Sequence, residues 1–107
     1  MAEYELKFMF DFGSGVCVWS NNEAANLKYS YAVESEKLPV SKELAEELNY
    51  LIAKYDEAID WNCPQNGLLW NKEEKEQFIK AAKNAYNRLC KELGTNYHLK
   101  IMNNFLI

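Results

Sequence analysis

Between residues 4 and 12, Tyr4, Leu6, Phe8, Phe10 and Phe12 fall on one side of an extended chain, with Glu5, Lys7 and Asp11 on the other. Period-two alternation with aromatic enrichment specifies a half-buried strand. A strand with one apolar face is stable only when another layer covers that face, so the rest of the chain must supply helices or a second sheet. With 107 residues there is room for one such core and no second one. The single domain 1–107 is therefore the expected organisation. Hydrophobic residues make up 49%, which is enough apolar area to offset chain entropy and argues against disorder.

Covering helices are legible further along. Ser41 precedes a stripe of Leu44, Leu48, Leu51, Ile52, Tyr55 and Ile59, spaced for a helix reaching residue 60. Its other face carries Glu43, Glu46, Glu47, Tyr50, Lys54 and Glu57. Asn71 and Glu74 have capping-box spacing and open a third helix, with Phe78, Ala81, Ala82, Ala85, Tyr86, Leu89 and Leu93 as its apolar stripe, Cys90 alongside and Gly94 as its stop. Ser20 and Glu23 have the same spacing and predict a short helix over 21–28. Tyr97, Leu99 and Ile101 alternate with His98 and Lys100 as a last strand. Phe12-Gly13-Ser14-Gly15 suits a two-residue type II′ turn, pairing Phe8 with Trp19 and Phe10 with Cys17. A three-residue loop would place Val16 and Val18 on the aromatic face instead. The expected fold is α+β: a small antiparallel sheet, made of an N-terminal hairpin and a C-terminal strand, packed against two long helices and one short one.

Chemistry-bearing residues are sparse. Gly13-Ser14-Gly15 lacks the length, the lysine and the following helix of a phosphate loop. His98 is the only histidine, which removes multi-histidine metal sites. Its place on the solvent side of a strand favours a structural role. Cys17, Cys63 and Cys90 are widely spaced, odd in number and without a CxxC pair, so reduced thiols are expected rather than a disulfide framework or zinc. Cys17 among Phe and Trp reads as buried and unreactive. Asp56 and Asp60 are one turn apart, a spacing that suits a solvated helix edge better than a cation site, because no calcium-loop pattern accompanies it. No cofactor, metal or catalytic set is therefore expected. Trp61 and Trp70 flank the loop between the long helices, where each reads as a lid over the core or as an interface anchor.

Charge is the most informative remaining feature. Residues 1–60 hold 12 acids and 5 bases (−7), and residues 61–107 hold 4 acids and 7 bases (+3), giving the net −4. Such a balance disfavours nucleic acid and anionic membranes, and suits a basic protein partner. The first residues have no basic region followed by an apolar one, so a cytoplasmic location is expected.

Several blocks together carry a resemblance. Phe12-Gly13-Ser14-Gly15-Val16-Cys17-Val18-Trp19-Ser20 with Glu23-Ala24-Ala25, Leu38-Pro39-Val40-Ser41, Tyr55-Asp56 with Asp60-Trp61, and Trp70 with Glu73-Glu74 and Phe78 resemble a group of small bacterial cytoplasmic proteins. These are similar in size and acidity to immunity proteins of bacterial toxin systems, contact-dependent growth inhibition among them. The resemblance implies a non-catalytic protein that binds and neutralises a cognate toxin, often a basic nuclease. Glu43, Glu46, Glu47, Tyr50 and Glu57, with Trp61 and Trp70, are the expected partner-binding residues. A different class stays open: a small-ligand or regulatory domain with a pocket lined by Trp19, Tyr55 and Trp61. A metal-dependent enzyme using Asp56, Asp60 or Glu74 is the third reading.

Overall fold

A computed structural model of the chain describes residues 2–11, 13–58 and 69–102. Strand β1 (Tyr4–Phe8) and β2 (Val18–Ser20) are followed by helix α1 (Glu23–Tyr29), β3 (Ala32–Val33) and a 3-10 turn (Ser35–Lys37). Helices α2 (Lys42–Glu57) and α3 (Lys72–Leu93) come next, then β4 (Tyr97–Ile101). The four strands lie in the order β3-β2-β1-β4.

The fold class holds, but the sheet is mixed rather than purely antiparallel. β1 pairs antiparallel with β2 and parallel with β4, Leu6 standing opposite Leu99 and Lys7 opposite Lys100. The parallel pairing follows from the chain's route. The α2 and α3 hairpin carries the chain back across the sheet, so β4 enters β1's open edge from the same end. β3 is an addition to the expected elements, pairing Val33 with Val18 inside a stretch that reads as irregular.

The hairpin register also differs by one residue from the expected one: Phe8 stands opposite Val18, and Trp19 opposite Lys7. The cause is the connection. The Gly13 N–H donates to Asp56 Oδ1 at 3.0 Å, and Ser14 donates through its backbone N–H to the Asp11 carbonyl at 3.3 Å. Gly13 and Gly15 both take positive φ (74° and 75°), so a wider loop leans toward the end of α2. Val18 rather than Trp19 then enters the aromatic face. Trp19 is buried on the other side, its indole N–H donating to the Met9 carbonyl at 2.9 Å and its ring meeting Tyr31. Phe12 lies outside the described residues.

Leu6, Phe8, Val18, Val33 and Leu99 meet Leu44, Leu48, Phe78, Ala82 and Leu89 in one core. Phe10 brings Tyr55 and Phe78 together, with ring centroids 5.5 and 5.0 Å away. α1 starts two residues later than the spacing predicts. Asn22 rather than Ser20 caps it, accepting from the Ala25 N–H, because Ser20 is taken by β2 and donates its hydroxyl to the Ser30 carbonyl. Ser41 caps α2 by accepting from the Leu44 N–H, and Asn71 with Glu74 closes a two-way capping box on α3. α2 stops at Glu57, and Ile59 and Asp60 lie outside the described residues.

Candidate functional site

α2 and α3 form an antiparallel hairpin whose inner faces fill the core. Its outer face gathers most of the residues that the sequence reading assigned to a partner. On α2, Glu43, Glu46 and Glu57 are exposed, with no ion pair among the described residues, and Tyr50 is 63% exposed. They share one side because α2's apolar stripe binds the core and commits the opposite face to solvent.

Glu47 is placed differently from its neighbours. It accepts from Arg88 of α3 at 3.0 Å, and Arg88 also reaches Glu92 at 3.4 Å. Glu92 in turn accepts from the Ser41 backbone N–H at 2.6 Å and from its hydroxyl at 3.2 Å. The Ser41 bonds, reinforced by Arg88, hold the Glu92 carboxyl below the usual range. A clasp therefore joins the start of α2 to the last turns of α3, and Glu47 belongs to it. Solvent screens pairs this exposed, so the clasp orients the seam more than it stabilises it.

At the other end of the hairpin the seam opens. Tyr50, Lys54, Trp70, Gln77 and Ala81 surround a cleft of ≈ 220 Å³ over Leu51 and Phe78. Trp70 is half-buried, its ring 4.9 Å from that of Phe78, so it combines core contact with an accessible edge. Leu69 beside it is 60% exposed. Trp61 lies outside the described residues. The sequence reading assigned none of α3's bank of this surface, Glu74, Gln77 and Ala81, to a partner, because hydrophobic periodicity gives a helix's buried side but not which helix borders it. Arg88, a lone arginine at a position three-quarters along α3, was the available hint.

Other candidates have structural duties. Asp56 accepts from Gly13, and Glu74 serves the α3 cap. Among the described residues no group of three His, Cys, Asp or Glu is placed to hold a metal. Cys17 is fully buried, and burial pushes its thiol far above the ordinary range, whereas Cys90 is exposed. His98 is exposed on β4, on the solvent side as expected. The expected ligand pocket does not form between Trp19 and Tyr55. Trp19 lies on the open face of the sheet, while Tyr55 packs with Phe10 and Phe78 in the core. A broader depression of ≈ 620 Å³ runs beside Ser14, Ala32, Glu34, Glu36 and Asp56. There the Asn49 amide holds Glu36 at 2.6 Å, and Lys37 sits 3.9 Å from Glu34. No helix among the described residues is long and apolar enough to cross a membrane.

This arrangement can bind but offers no assembled nucleophile, base or metal set among the described residues. Residues 4–104 match the protein family described as Serratia CdiI immunity protein-like. No curated protein matches the chain.

Proposed function

The chain belongs to the Serratia CdiI immunity protein-like family, and from that premise we propose that it binds a cognate toxin domain in the cytoplasm and neutralises it by occlusion rather than by turnover. The carrying observation is the outer face of α2. Glu43, Glu46 and Glu57 stand there without ion pairs among the described residues, on a rigid helix, beside an exposed Tyr50. Unneutralised carboxylates on a fixed scaffold suit a basic partner and speed its encounter. Trp70 lies at the border of this face and supplies an aromatic contact. A toxin that handles nucleic acid would present the complementary charge, which makes a nuclease the favoured partner chemistry.

The test is co-expression of this chain with the proposed cognate toxin domain, followed by purification through high-salt washing. A one-to-one complex, together with restored growth of toxin-expressing cells, is expected. Unrelieved toxicity and no complex would overturn the reading.

A further inference from the structure

The seam between α2 and α3 is closed at one end by the Arg88 clasp and open at the other, and the open end combines two properties. Its walls are apolar, with Leu51 and Phe78 as floor and Trp70 and Ala81 as sides, while acids of α2 stand along the helix beside it. Glu74 and Lys54 line it, and the exposed Glu46 and Glu57 stand one helical turn from Tyr50 and Lys54 along α2. Tyr50, on its lining, is 63% exposed, and Leu69, next to Trp70 in the chain, is 60% exposed. Elsewhere among the described residues only Leu27 and Tyr31 are comparably exposed, and neither lines this cleft.

Resting on the toxin-binding reading above, we propose that this cleft receives one large apolar side chain projecting from a basic surface of the toxin. Size selects the occupant. At ≈ 220 Å³ the space is below the ~300–1,000 Å³ usual for small-molecule sites, and it suits a single buried side chain. Charge selects the setting. A surface of lysines and arginines around that side chain would meet the neighbouring acids, and the apolar contact would be shielded from water by them, as at protein-interface hot spots. The two parts divide the kinetics: the neighbouring carboxylates govern the association rate, and the cleft governs how long the complex lasts.

The measurement is association and dissociation of the proposed cognate toxin domain with three forms of the chain. Ala81→Phe fills the cleft from α3, and Gln77→Trp closes its mouth from an exposed position that the core does not use. Both are expected to raise the dissociation rate by at least roughly 30-fold with the association rate nearly unchanged. Thermal melting run alongside identifies a variant that has lost its fold, and Gln77→Trp then carries the test. Wild-type dissociation rates in a folded variant would overturn the cleft while leaving toxin binding intact. Absence of binding by the unaltered chain would instead overturn the toxin-binding reading and the cleft with it.

Discussion

Cys17 and Cys90 show how position decides the chemistry of one residue type. Cys17 is fully buried, and its thiol is pushed far up by desolvation, while Cys90 stands exposed on α3. In a Cys63→Ser background, the native protein should therefore take one equivalent of a thiol reagent promptly, and a second only after denaturation. Two equivalents in the native state would contradict the burial of Cys17. Glu92 makes a second prediction at this scale. Its folded-state pKa is depressed by the Ser41 bonds, so its contribution to stability is present above the ordinary carboxylate pKa and is lost as pH falls through the lower folded value. Glu92→Gln removes that titration. Melting temperatures followed from about pH 5 down to about pH 3 should fall less steeply in the variant than in the parent. Parallel curves would show that the clasp does not respond to protonation.

At the scale of the elements, the helices carry their own punctuation. Asn71 accepts from the Glu74 N–H at 2.8 Å, and Glu74 accepts from the Asn71 N–H at 3.3 Å. Asn71→Ala should cost about 1 kcal/mol, read as a lower urea midpoint with an unchanged slope. Asn71 at the start and Gly94 at the stop are local signals, which is why α3 was legible from sequence to the residue. β4 and the start of β1 were legible for the same reason, since Leu6, Phe8 and Leu99 alternate with charged neighbours, but β1 ends at Phe8 although the alternation continues beyond it. What local patterns do not contain is pairing. The parallel joining of β4 to β1 is set by the direction in which the helical hairpin returns the chain, a property of the whole path. β3 is two residues long and too short for periodicity to register. The hairpin register turned on Gly13 bonding to Asp56, 43 residues away, a contact that turn propensities at Gly13-Ser14 cannot anticipate. In the candidate site, the exposure of Glu43, Glu46, Tyr50 and Glu57 was readable from α2's periodicity. The loss of Glu47 to Arg88 was not, because it depends on how α2 and α3 are aligned.

Across the whole molecule the acids gather on α2 rather than on the helical layer as a whole. α2 carries five acids and two bases, whereas α3 carries four acids and six bases, and on the sheet face turned from the helices Lys7 and Lys100 lie beside Glu5 and His98. A partner bearing positive charge is thereby drawn to α2 more than to α3, an asymmetry that the net −4 does not convey. We propose that a cognate toxin docks on this acidic face of α2. The test is stopped-flow association of the proposed cognate toxin domain, compared between the parent and Glu43→Lys/Glu46→Lys/Glu57→Lys over rising salt. The parent should associate at least tenfold faster at low salt, with the two rates converging as the Debye length shrinks to about 3 Å near 1 M salt. Equal rates at low salt, with a stable complex formed by both, would place the docking surface elsewhere on the molecule.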